Sequence, residues 1–203
     1  MKRLSLALAA ALLVAAPAAS HAADGLPGAR DAARVTAGTY KVDPHHTQVV
    51  WSVDHMGFTP LYGAFGQPTG SLTFDPKAPS EAKLTVEFPL TGLTVTSEKF
   101  GVHLKGDEFF DAAKFPKATF VSTKVEASGE TATITGDLTV RGVTKPVTLE
   151  ASFFGAGQNP MTKAETIGFT ATAKVKRSAF GLGAYAPAIA DDVDLKIVGA
   201  FEK

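Results

Sequence analysis

The sequence predicts an all-β fold of about eight antiparallel strands, either closed on themselves or paired as two sheets. Three observations carry that prediction. From Thr39 onward, apolar and polar residues alternate with period two, the mark of strands with one buried face. Clusters of Gly, Pro and Ser fall between the alternating runs, so successive strands are expected to run antiparallel to their neighbours. Each run is apolar on one side only, and about eight such strands need a shared interior.

The chain opens with Lys2 and Arg3, an apolar run from Leu4 to Ala16, and the small-residue stretch Ala18-Ala19-Ser20-His21-Ala22. That order is the pattern of a secretory signal peptide, assigned to residues 1–22 with cleavage after Ala22. The apolar run is shorter than the roughly 20 residues a spanning helix needs, and no Cys stands near the cut to carry a lipid. A soluble mature protein in the periplasm is the expectation. Residues 23–38 mix Gly, Pro, Ala and charges without periodicity and read as a flexible leader. The domain itself is placed at 39–203.

Within that domain the first strong strand runs from Thr47 to His55. Val49, Trp51, Val53 and His55 share one face, while Gln48, Ser52 and Asp54 share the other. Further runs follow: Leu84, Val86 and Phe88; Ile134, Leu138 and Val140; Val147, Leu149, Ala151 and Phe153; Ile167, Phe169, Ala171 and Val175; and Val193, Leu195, Ile197 and Phe201. Turn signals stand at Pro76 with Pro79, Ser128-Gly129-Glu130, Arg141-Gly142, Gly155 through Pro160, and Gly181-Leu182-Gly183. Alternation fails over residues 97–115. There Phe100, His103, Leu104, Phe109 and Phe110 sit at nearly helical spacing behind Ser97, a competent N-cap. One or two short helices over a barrel mouth are expected.

Composition removes several function classes. Twenty basic residues balance twenty acidic ones, without the basic footprint of a nucleic-acid binder. Cysteine is absent, which excludes disulfides, thiol nucleophiles and thiolate metal sites. His45 and His46 are adjacent on what reads as a strand start, where neighbouring side chains point apart, so they do not make a ligand pair. No HExxH or Gly-x-Ser-x-Gly motif occurs, leaving a metal site or a nucleophile without sequence support. Asp43 before Pro44 reads as a turn-former, and Asp107, Glu108 and Asp111 as the solvated face of a short helix. No catalytic or metal residue is assigned.

The aromatic inventory is lopsided: fourteen Phe against three Tyr and one Trp. Such an interior offers apolar wall with few polar handles, as in lipophilic ligand sites. Candidate cavity residues are Trp51, Val53, His55, Phe65, Phe74, Phe88, His103, Phe109, Phe110, Phe120, Leu138, Phe169, Phe180 and Leu195.

Several stretches together resemble a known family. They are Tyr40-x-Val42-Asp43-Pro44-x-His46-Thr47, Trp51-x-Val53-x-His55, Gly63-x-Phe65, Phe74-Asp75, and His103-Leu104-Lys105-x-Asp107-x-Phe109-Phe110-Asp111. Downstream stand Phe115-Pro116-x-Ala118-Thr119-Phe120, Gly136 through Val147, and Arg177-Ser178-x-Phe180-Gly181. In order and spacing they are similar to the YceI-like, polyisoprenoid-binding periplasmic proteins, from about Thr39 to Lys203. The resemblance implies an eight-stranded antiparallel, lipocalin-like barrel whose long pore holds a polyisoprenoid or isoprenoid-quinone chain, without catalysis and without any cofactor beyond that lipid. One departure is Phe100-Gly101-Val102, where the family usually carries an Arg-Asp pair before the His-Leu. Arg177 is a candidate polar contact, although at a strand end an Arg is expected to face solvent. The expected partner is a long-chain isoprenoid lipid, with transient membrane contact; the oligomeric state, a dimer included, stays open. Two rivals remain: a lipid-directed enzyme using His46, His55 or His103, and a barrel filled by its own side chains.

Overall fold

The computed structural model describes residues 25–203; the signal peptide assigned to 1–22 lies outside them. Eight antiparallel strands form a closed up-and-down barrel. Strand β1 is Gly38–Val42 continued by Gln48–His55, β2 is Thr59–Phe65 continued by Thr69–Phe74, and β3 is Lys83–Pro89 continued by Leu93–Thr94. Then follow β4 (Lys117–Ser128), β5 (Thr131–Val140), β6 (Val143–Gln158), β7 (Glu165–Lys176) and β8 (Ile189–Glu202). Each strand pairs with the next, and β8 returns to β1 through Leu195↔Trp51, Ile197↔Val49 and Phe201↔Val42. Closure gives each of the eight strands a partner on both sides, and the alternating residues of every strand face one shared interior.

The break in β1 is bridged by side chains. Thr47 is buried, and its hydroxyl both donates to the Ala200 carbonyl and accepts from the Ala200 N–H, replacing ladder bonds that the turn removes. Asp43 accepts from the His45 N–H, and its other oxygen lies 2.5 Å from His46 Nδ1. This turn role is the one expected of Asp43. Burial alone would push the Asp43 carboxyl up, but the hydrogen bonds from His46 and the His45 amide outweigh it and hold the pKa low. The same hydrogen bond, with the attraction of the carboxylate, raises His46.

The pair's stabilisation is therefore lost as pH falls through the lowered Asp43 value, and lost again as pH rises through the raised His46 value. It is full only between the two ordinary values, 3.8 and 6.5. Because His46 is mostly exposed, the effect is below about 1 kcal/mol. His46→Ala is expected to lower the melting temperature slightly at pH 5.5 and less at pH 8.5.

Two expectations need correction. The leader 23–38 is not flexible throughout: Gly28–Ala29 pairs with the end of β6, a 3₁₀ turn follows at Ala32–Arg34, and Val35 is buried in the core. The glycines between 155 and 160 do not start a turn, because β6 continues to Gln158. A β-carbon on Gly157 would sit 2.0 Å from the Pro27 carbonyl oxygen. These glycines admit a crossing backbone, a use of Gly in strands that sequence alone does not separate from turn-making.

The interior divides into two clusters. At one end Val35, Tyr40, Val42, Leu72, Phe153, Ala156 and Ile167 pack with Phe74 and Phe169. This end is sealed from outside by Glu165, which accepts from the Thr36 N–H and hydroxyl and lies beside the Tyr40 hydroxyl and Lys203. Burial, reinforced by the Glu165 hydrogen bond, pushes the Tyr40 phenol up to about 12, so it stays a neutral donor. At the other end Trp51, Val53, Leu93 and Leu104 pack with Phe100, Phe109, Phe110 and Ile189. Helix α1 (Glu98–Lys105) lies here, capped by Ser97 accepting from the Phe100 N–H, as its sequence predicts.

Candidate functional site

Between the clusters the barrel encloses a cavity of about 560 Å³, within the usual range of small-molecule sites. Twelve of the candidate residues line it: Trp51, Val53, His55, Phe65, Phe88, His103, Phe109, Phe110, Phe120, Leu138, Phe180 and Leu195. Helix α1 supplies Phe100, His103 and Leu104 to the wall. Phe74 and Phe169 are the exceptions. Both pack in the sealed cluster, because period two fixes the face of a strand residue but not how far down the barrel the open space reaches.

Nearly all of the wall is aliphatic or aromatic. The polar side chains on it are Thr47, His55, His103, Thr119, Arg177 and Tyr185. His103 is half-exposed, its ring edge-on to Phe109 at 5.0 Å and its Nε2 3.7 Å from Glu108. His46 stands on the outer turn against Asp43, 74% exposed, and does not line the cavity. Among the described residues, no three His, Asp or Glu side chains converge as a metal site.

Arg177 departs most from expectation. It is 7% exposed rather than solvent-facing. Its guanidinium donates to the carbonyls of Leu182, Ala184, Ile189 and Ala190. Those donors fix the loop that carries Leu182, Tyr185 and Ile189 onto the cavity wall. Burial lowers the Arg177 pKa, opposed by the charge of Asp191, and as an arginine guanidinium it stays cationic. Arg141 staples the same end, donating to the carbonyls of Gly181 and Asp107. Around this mouth Met56, Phe58, Val102 and Tyr185 are exposed, Phe58 by 82% and Val102 by 68%.

Comparison with known proteins agrees with this geometry. A family model for the YceI-like domain matches residues 40–201, which spans the whole barrel. The chain belongs to the YceI-like family. Among YceI-like relatives, a UPF0312 protein of Enterobacter sp. (strain 638) is 40% identical over 163 residues, covering 79% of this chain and 84% of its own. Protein YceI of Escherichia coli O157:H7 is 38% identical over 168 residues, covering 82% and 87%. Of solved structures, BcnA of Burkholderia cenocepacia superposes with TM-score 0.70 at 26% identity, over 78% of this chain and 98% of that one. A polyisoprenoid binding domain from Saccharophagus degradans superposes with TM-score 0.60 over 80% and 97%, at 13% identity, a likeness of fold.

In this YceI-like barrel the single tryptophan is tightly held. Trp51 packs against Gly63 on β2, where a β-carbon would lie 2.2 Å from Cζ2 and 2.5 Å from Cε2. Among the described residues its buried Nε1 has no hydrogen-bond partner. Gly63→Ala overpacks that contact, at about 1–3 kcal/mol. Its expected result is a melting temperature lower by roughly 3–10 °C, with a shifted Trp51 emission maximum.

Proposed function

We propose that this protein is an exported, non-catalytic carrier that holds a polyisoprenoid or isoprenoid-quinone chain in its barrel and works in the periplasm. The observation that carries this reading is the apolar cavity itself. Left unfilled, a cavity of about 560 Å³ forgoes packing worth on the order of 10 kcal/mol at the measured penalty per unit volume, comparable to the whole stability of a domain. Apolar cavities stay dry, so the occupant that relieves the penalty is itself apolar. Each buried methylene then contributes about 0.8 kcal/mol, and a prenyl chain binds tightly without a specific head-group contact. The family membership and the polyisoprenoid-binding description of a protein of the same fold support the same ligand class. The leader at 1–22 supports the compartment.

The exposed apolar rim supports loading and release at a lipid surface, where Phe58 and Val102 would insert beside the mouth. Replacing both by Ser is expected to slow ligand transfer from phospholipid vesicles at least about fivefold while leaving equilibrium affinity within about twofold, because neither residue lines the cavity. The function is tested by purifying the protein from its native compartment and analysing organic extracts by mass spectrometry. An isoprenoid at near-equimolar amount is the expected result. Protein that is consistently free of isoprenoid, and that takes none up when offered, would reject the carrier reading.

A further inference from the structure

We infer that residues 97–115 form a hinged lid over the barrel mouth, clamped shut by Arg141, and that the apolar ligand enters and leaves when this lid lifts. The inference rests on the carrier reading above and adds the step that controls exchange. The segment is anchored at its two ends but not along its length. Before it, Leu93 and Thr94 pair with Phe65 and Ala64 on β2; after it, the Pro116 carbonyl accepts from the Leu90 N–H at 2.8 Å. Between these anchors the backbone bonds to itself. The Gly101 N–H donates to the Ser97 carbonyl, Phe110 to Leu104, Asp111 to Gly106, Ala112 to Lys105 and Phe115 to Asp111. Among the described residues no ladder bond ties it to a strand, and Leu104 is the one residue of the segment that is buried. A unit with its own hydrogen bonds and little buried surface opens at lower cost than the strands around it.

The underside of the segment supplies Phe100, His103, Leu104, Phe109 and Phe110 to the cavity wall, so the closed lid roofs the site. The far end of the barrel is closed by the Thr36, Glu165 and Lys203 contacts and the sides by paired strands, which leaves the lid as the way in. Aromatic contacts and the Arg141 guanidinium hold it down. Phe110 meets Phe65 of β2 edge-on at 5.6 Å, and Phe109 stacks on Tyr185 at 6.1 Å. Tyr185 stands on the loop that Arg177 fixes, with a φ of 62°, a left-handed conformation that an aromatic residue keeps only where its surroundings impose it. It is a fixed post against which the lid closes. The Glu108 carboxylate of the lid also lies against the Tyr185 hydroxyl and raises its pKa. From the turn between β5 and β6, Arg141 donates to the Asp107 carbonyl of the lid at 2.7 Å and to the Gly181 carbonyl beside the post. Arg141 does not line the cavity, so it acts on exchange through the lid.

The test follows hydrogen exchange and farnesol kinetics in the wild type and in Arg141→Gln. In the ligand-free wild type, the amides of 101–115 are expected to exchange together and at least about tenfold faster than those of β4 and β5. Arg141→Gln should speed the lid amides about tenfold further, the effect of losing a charge-assisted hydrogen bond. Stopped-flow Trp51 emission should then show farnesol association and dissociation both faster by at least about fivefold, with Kd within about twofold, because the clamp is lost equally from the free and the loaded protein. Should Arg141→Gln fold poorly, Glu108→Cys combined with Tyr185→Cys tests the same motion in this cysteine-free chain. Bridged by a short bismaleimide, that variant should take up and release farnesol at least about tenfold more slowly than when unbridged. Lid amides as slow as those of the strands, farnesol rates unchanged in Arg141→Gln, or exchange as fast with the bridge as without it would each overturn the lid. If the wild type binds no farnesol, the carrier reading itself fails, whatever the lid amides show.

Discussion

Phe169→Asp is expected to abolish the native barrel or lower its melting temperature by on the order of 20 °C. The ring at Phe169 joins strands β6, β7 and β8 through contacts with Phe153 and Phe201, and reaches β2 through Phe74. Removing it forfeits about 3–5 kcal/mol of packing. The carboxylate that replaces it faces only apolar neighbours and adds an unpaired-charge penalty of a few kcal/mol more. Together these approach the total stability of a typical domain, about 5–15 kcal/mol. Near-ultraviolet circular dichroism and a thermal melt check this. Wild-type spectra and melting temperature for Phe169→Asp would mean that the inward register of β7 is wrong.

The second large effect is expected at Arg177. Arg177→Leu keeps the apolar stem but leaves the carbonyls of Leu182, Ala184, Ile189 and Ala190 without the donors they have in the native mouth. A buried acceptor stripped of its partner costs about 1–3 kcal/mol. Part of that is recovered as the loop opens to water, so the net loss is on the order of 4 kcal/mol. Hydrogen exchange should show faster exchange of the amides between 182 and 190, with the strand amides of β4 and β5 little changed. Arg177→Lys should recover only part of the loss, because an ammonium lacks the planar fork that reaches four carbonyls at once. Unchanged exchange in this loop for Arg177→Leu would show that the guanidinium does not hold the mouth.

The strands were legible because their physics is local. Val49, Trp51 and Val53 face inward since every second residue of a strand shares a face, and the Gln48–His55 run of β1 carries the pattern without interruption. The Ser97 cap was legible for the same reason, as it bonds an amide three residues on. What stayed hidden depends on distant chain segments. The pairing of Gly28–Ala29 with β6 leaves no periodic trace, and the glycines that permit it look like turn residues. Arg177 reads as a solvent-facing strand end until the loop after Gly181 folds over it. Phe74 and Phe169 point inward as expected, but the depth of the open space is decided by how four rings from different strands meet.

The central claim is that burial of an isoprenoid tail in the cavity dominates binding, and Trp51 on the cavity wall reports it directly. Ligand-free protein is titrated with farnesol and with single-unit prenol while tryptophan emission is followed. The account predicts a saturable change with farnesol and at least about a hundredfold weaker response to prenol, since the longer tail buries many more methylene-sized groups. Equal affinity for the two alcohols, or no binding of farnesol by emission and by calorimetry alike, would contradict it.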